Sequence, residues 1–249
     1  MFSVILLACI FAAISWFDLL LGPTRDIYRL ERISAGTANS DSVAFATEKL
    51  ESHDLRVRNA AMLALGRAGP YAKASAPKLL DILAAGTPTE APNAAWAIGN
   101  IGPTNSEAST ALRNALTSNR PETRRYAAYA ISRHGVTASA AIPELITALN
   151  DDHVSYVAAR ALGEMGPAGI VAIPELTELL SPSNGARSES ATAISHLSAF
   201  TPIPGDTMHK LRALQSDTED HVRKAASEAI ATIESYTLDP ESMISDAGR

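Results

Sequence analysis

Asp54-Leu-Arg-Val-Arg-Asn-Ala-Ala-Met-Leu-Ala-Leu-Gly-Arg-Ala-Gly69 decides how the rest of the chain is read. Its small and apolar residues Val57, Ala61, Ala64 and Leu65 fall at helical intervals, so the stretch predicts an α-helix with one buried face. Gly66 and Gly69 would end that helix and let the chain reverse. The pattern recurs as Pro92-Asn-Ala-Ala-Trp-Ala-Ile-Gly-Asn-Ile-Gly102, Arg124-Arg-Tyr-Ala-Ala-Tyr-Ala-Ile-Ser-Arg-His-Gly135 and Val154-Ser-Tyr-Val-Ala-Ala-Arg-Ala-Leu-Gly-Glu-Met-Gly166. Two worn copies come after these, at Ser190 to Ser195 and Val222 to Ala231. Aligned on the residue at 66, the copies fall at 99, 132, 163, 195 and 231, steps of 33, 33, 31, 32 and 36. A period in the low thirties accommodates two short helices and two turns.

The second helix of each pair opens on proline, whose missing N–H costs nothing at a helix start. Ala76-Pro77-Lys-Leu-Leu, Ile142-Pro143-Glu-Leu-Ile and Ile173-Pro174-Glu-Leu-Thr are the three clear cases. The expected fold class is all-α, a right-handed α-solenoid of stacked helix pairs preceded by a single hydrophobic N-terminal helix. The repeat domain is read as residues 41–235, with Asp41 to Glu51 as an opening cap helix and Glu219 to Glu234 as a closing one. Residues 236–249 read as a disordered polar tail.

Residues 1–22 are almost wholly apolar, from Phe2 through Leu21, with Asp18 near the end of the run. About 20 helical residues match the thickness of a bilayer core, so this segment reads as a transmembrane anchor. Removal at a small-residue site such as Ala13-Ile14-Ser15, giving an exported module, and a capping helix are the other readings. Arg25, Arg29 and Arg32 come directly after the run, which places the repeats on the cytoplasmic side of a single-pass protein. Residues 23–40 then read as a juxtamembrane linker.

The net charge of −6 argues against a general nucleic-acid binder, which needs a basic face to neutralise phosphates. The one cysteine, Cys9, lies in the apolar run, so the repeat body has no thiol for a disulfide, a zinc site or a nucleophile.

Asp-x-x-x-Arg, Ala-Ala, Leu-Gly-x-x-Gly and the proline of the second helix together resemble the HEAT-like repeats of the phycobilisome-lyase type, over about residues 53 to 235. The resemblance implies a scaffold or adaptor and, in some branches, an enzyme. One such branch is an iron hydroxylase that binds metal through His-Glu pairs on successive helices. Here none of His53, His134, His153, His196, His209 and His221 precedes a glutamate, and no two stand at i, i+3 or i+4. His53-Asp54, Asp152-His153 and Asp220-His221 instead sit where first helices begin, where acids serve as caps. No phosphate loop or nucleophile signature is present, so no catalytic residue, metal or cofactor is expected.

Arg58, Arg124, Arg187 and Arg223 each lie eight residues before the aligned position. They read either as an anion-binding ladder or as ties between neighbouring units through acids and carbonyl groups, and the second reading matches the fold's own period. Trp96, Tyr126, Tyr129 and Tyr156, flanked by Arg125 and Arg160, would form an aromatic strip on the first helices. Such residues anchor protein interfaces, and they also fill seams between stacked helices. On the second helices Glu144, Glu175 and Glu178 would form an acidic surface suited to a basic peptide segment. The expected function is a monomeric, membrane-tethered scaffold for an unidentified protein partner, without catalysis or nucleic acid. The alternative is a bilin-lyase-like or accessory enzyme that holds a prosthetic group or client protein.

Overall fold

The computed structural model describes residues 22–102 and 106–238. They form helices throughout: α1 (residues 22–31), α2 (Ser40–Lys49), α3 (Leu55–Ala68), α4 (Ala76–Ala85), α5 (Glu90–Ile101), α6 (Ser106–Leu116), α7 (Pro121–His134), α8 (Ile142–Ala148), α9 (Ser155–Gly163), α10 (Ile173–Glu178), α11 (Arg187–Leu197), α12 (Gly205–Leu214) and α13 (Asp220–Leu238). No strand occurs among the described residues. The chain divides between Ile101 and Gly102 into two compact units.

In the first unit, α3 packs along α5, and its predicted face is the buried one: Val57, Ala61, Ala64 and Leu65 are all buried. Alanines at these positions let the two backbones approach, and Gly66 goes further. A Cβ there would stand 2.3 Å from Cζ3 of Trp96, so the indole occupies the space a side chain at 66 would need. Within the stretch expected to be a juxtamembrane linker, residues 22–31 are helical. Leu30 and Ile33 are buried, and the Arg67 guanidinium on α3 donates to the carbonyls of both, at 3.2 Å each. Lys49 pairs with Asp26 at 2.9 Å, and Arg29 lies 3.8 Å from the centre of the Phe45 ring. The pair α1 and α2 is therefore a further helical hairpin laid against α3, in place of the expected linker and single cap helix.

In the second unit the first helices α7, α9, α11 and α13 pack in series. Gly163 marks the close approach of α9 to α11, since a Cβ there would lie 2.8 Å from the Ala193 Cα. Between the second helices, a buried hydroxyl pair, Thr177 Oγ1 to Thr207 Oγ1 at 2.8 Å, joins α10 to α12.

The glycines three residues past the repeat marker do end first helices: Gly69 and Gly135 have φ of 60° and 53°, a region that side chains disfavour. The chain does not simply turn after them. Tight 3₁₀ segments run Gly69–Ser75, Gly135–Ala141 and Gly166–Ala172 and bury residues three apart, Ala72 with Ser75 and Ala138 with Ala141. Three residues per turn puts such pairs on one edge, a spacing hidden inside a search for 3.6-residue periodicity. Proline then opens α4, α8 and α10 as expected. Between α11 and α12 a turn containing Pro202 and Pro204 stands in place of a 3₁₀ segment.

The expected single-pass membrane placement is corrected. Among the described residues no helix is long and apolar enough to cross a membrane: all but α13 have 14 residues or fewer, and α13 carries Asp220, Arg223, Lys224, Glu228 and Glu234. The expected hydrophobic N-terminal helix falls on residues up to Leu21, which lie outside the described residues. The polar tail is likewise outside them beyond Leu238, and α13 already runs through its expected beginning at 236.

Candidate protein-interaction surface

The arginines that recur with the repeat are the first candidates, and the structure commits them to the fold. Arg58 donates from Nε to Glu90 Oε1 at 2.6 Å and from Nη1 to the Ser52 carbonyl at 2.8 Å. Arg124 repeats the arrangement with Asp151 Oδ2 at 2.6 Å and the Ser118 carbonyl at 2.8 Å. Arg187 holds Asp217 through two nitrogens, at 2.8 and 3.0 Å, and also reaches Glu219. Arg223 ties the Asp217 carbonyl at 2.7 Å and pairs with Asp220. Arg58, Arg124 and Arg187 thus each join a carbonyl ahead of their own helix to a carboxylate of the following repeat, whereas Arg223 stays within the turn ahead of α13.

The acids that receive them are only partly legible in the sequence. Asp54 caps α3 as expected, accepting from the Arg56 N–H at 2.8 Å. Ahead of α9 and α13, however, the acids making the same bond two residues on are Asp151 and Asp217, not Asp152 and Asp220. Glu90, a buried acid opening α5, carries no sequence signal beyond its place 32 residues after Arg58.

The Asp217 carboxyl is lowered to about 2, chiefly by the Arg187 hydrogen bonds and then by the Glu219 N–H, against the opposing effect of burial. A carboxyl held below its ordinary value binds fewer protons folded than unfolded. Its contribution to stability is therefore complete above the unfolded value and is lost as pH falls through about 4 towards about 2. Thermal melts across that range are expected to show this loss in the native protein and a smaller acid-linked loss in Arg187→Met, which starts from a lower melting temperature. Parallel pH curves for the two proteins would refute the assignment.

The aromatic strip divides between the two units. Trp96 belongs to the first and is half-buried against Gly66, which is the seam role. Tyr126 and Tyr129 on α7 are half-buried, and Tyr156 on α9 is 38% exposed. Arg125 lies 5.2 Å from the Tyr126 ring centre and Arg160 lies 5.7 Å from that of Tyr129, so the latter pair bridges α7 and α9. Aromatic rings with a guanidinium over them and one edge in water form a built, partly desolvated surface.

The expected acidic surface on the second helices is largely neutralised. Glu144 receives Arg113 Nε at 3.0 Å and Nη2 at 2.6 Å, a hydrogen bond that holds its carboxyl below the usual value against burial. Glu178 pairs with Lys210 at 3.0 Å, and Glu175 is exposed. Beside Glu144 lies a cleft of about 310 Å³ lined by Leu116, Thr117, Thr147, Ala148 and the Arg124–Asp151 pair. Arg113 is itself readable as a polar residue of a second helix, but its pairing with Glu144 is not, although the two stand 31 residues apart, one repeat period.

His134 is buried, whereas His53, His153, His196, His209 and His221 are exposed on separate elements. Among the described residues no group of three or more His, Cys, Asp or Glu side chains is placed to hold a metal ion.

A family model for HEAT repeats matches residues 76–163 and, overlapping it, 109–195. No curated protein matches the chain by sequence. Among solved structures, the archaeal HEAT-like repeats protein from Thermococcus onnurineus NA1 is similar at a TM-score of 0.60 and 14% identity, over 86% of this chain and 92% of that one. The complex of CpcE and CpcF of phycocyanin lyase from Nostoc sp. PCC7120 gives 0.59 and 22%, over 81% and 80%. A designed armadillo repeat protein in complex with the peptide (KR)4 gives 0.57 and 19%, over 76% and 98%. At these identities the likeness is one of fold.

Proposed function

Because the chain is a HEAT-like repeat protein, we propose that it is a scaffold or adaptor that binds another protein and has no catalysis of its own. The observation that carries this reading is the cluster of Tyr126, Tyr129 and Tyr156 with Arg125 and Arg160 on the adjoining helices α7 and α9. Tyrosine and arginine are enriched among the residues that dominate interface energetics, tyrosine through a large, stiff ring with a polar end and arginine through a planar guanidinium that stacks and donates hydrogen bonds. Trp96 carries the same residue type into the first unit. Glu144, Glu175 and Glu178 are the rival contact surface, supported by the (KR)4 peptide bound to the designed armadillo neighbour and weakened by the cations already on Glu144 and Glu178.

Co-purification tests the reading, using the native chain beside Tyr129→Ala/Tyr156→Ala, with circular dichroism showing that the variant is folded. A partner held by the native protein is expected to bind the variant about 30-fold or more weakly, the scale of losing interface anchors. Equal retention by both would move the site to the second helices. Absence of any partner, together with visible absorbance of the purified protein, would overturn the scaffold reading in favour of an enzyme that holds a prosthetic group, for which the phycocyanin lyase neighbour is the one support.

A further inference from the structure

Building on the protein-binding role, we propose that the surface of α7 and α9 receives an acidic segment of the partner polypeptide. Most cations nearby are already used. In the second unit Arg113, Arg124, Arg187, Lys210, Arg212, Arg223 and Lys224 all face carboxylates within salt-bridge distance. Arg125, Arg133 and Arg160 have no carboxylate partner among the described residues. All three stand on two adjacent first helices. Arg125, Tyr129 and Arg133 succeed one another at i, i+4 and i+8 along α7, which aligns them on one face. Arg160 enters the same face from α9, since its guanidinium lies over the Tyr129 ring. Tyr156, four residues before Arg160, brings the exposed ring to the patch.

The result is a strip in which guanidinium groups alternate with aromatic rings, on a chain whose net charge is −6. An acidic segment is repelled by the chain as a whole and attracted here, so the charge distribution selects the orientation in which it docks. Carboxylates accept from the planar guanidinium, while intervening apolar side chains of the segment rest on the tyrosines. A nucleic acid fits less well, because three arginines neutralise few phosphates and the surrounding charge opposes a polyanion.

The test is fluorescence anisotropy of the full chain with three labelled probes of equal length: a peptide alternating aspartate or glutamate with leucine, its lysine counterpart, and a single-stranded DNA oligonucleotide. The acidic peptide is expected to bind, with affinity falling as salt rises. Arg125→Gln/Arg133→Gln/Arg160→Gln is expected to weaken it about tenfold or more at low salt, whereas Lys73→Gln/Lys224→Gln, altering exposed cations elsewhere, leaves it unchanged. Equal loss in the two variants, preference for the lysine peptide, or equally tight binding of the oligonucleotide would overturn the proposal. A native chain that captures a protein partner yet ignores the acidic peptide sinks this inference alone. The scaffold reading itself fails only when no partner is captured.

Discussion

Arg58→Ala is expected to destabilise the fold by about 3 kcal/mol, the usual consequence of stripping one member from a buried ion pair. The Glu90 side chain is only 7% exposed, and its Oε1 accepts from Arg58 Nε at 2.6 Å while its Oε2 accepts from the Thr87 N–H at 3.1 Å. Burial pushes the Glu90 carboxyl up, and the hydrogen bonds from Arg58 and Thr87 outweigh it, so the net direction is down. Without Arg58 burial prevails, and the carboxylate must protonate or draw water in. The Ser52 and His53 carbonyls lose their donor in the same step. Urea denaturation checks this: the midpoint should fall at an unchanged slope. The double replacement Arg58→Met/Glu90→Met should recover most of the loss, because no buried charge is then left unpaired. A double variant as unstable as Arg58→Ala would show that packing, not charge, holds α3 to α5.

Gly163→Ala is the second large effect, about 2 kcal/mol of destabilisation from overpacking. On helix propensity alone, alanine would be favoured over glycine by about 1 kcal/mol, so the expected sign is set by tertiary contact. The added Cβ would meet the Ala193 Cα at 2.8 Å and its Cβ at 3.0 Å. The first of these is backbone, and no rotamer change relieves it. The α9–α11 seam has to open, and with it the packing of Leu162 and Ile194, both fully buried. Denaturation of Gly163→Ala beside Gly205→Ala measures the effect, since nothing lies within 4 Å of the added atom at Gly205. Equal stability of the two variants would mean that the seam yields freely and that the close approach is not a constraint.

These two sites are legible in the sequence to different degrees. Gly163 is visible in the repeat itself, because a small residue stands at the marker in each copy and a helix packed closely against its neighbour needs one there. Arg58 is visible as a recurring arginine, but its acid is not. Glu90, Asp151 and Asp217 lie 32, 27 and 30 residues beyond their arginines, an offset that varies with each intervening turn. Trp96 shows the same boundary. Its place in the aromatic register is readable, and its stacking on Gly66 is not, since that depends on how far apart α3 and α5 settle.

The amino-acid sequence by itself determined the helical pairs, their period, the glycines that follow the first four copies and the prolines that open α4, α8 and α10, because these are local choices written along the repeat. Only the tertiary structure decided which charges are spent on the fold and which are not. Glu144 and Glu178 read as a free acidic surface until Arg113 and Lys210 are placed beside them, and Arg125, Arg133 and Arg160 emerge as arginines with no carboxylate partner among the described residues. Pairing depends on distances between side chains of successive units, which change by a few ångströms with small changes in helix separation and turn length. A one-dimensional pattern carries the spacing along the chain and not those distances across it.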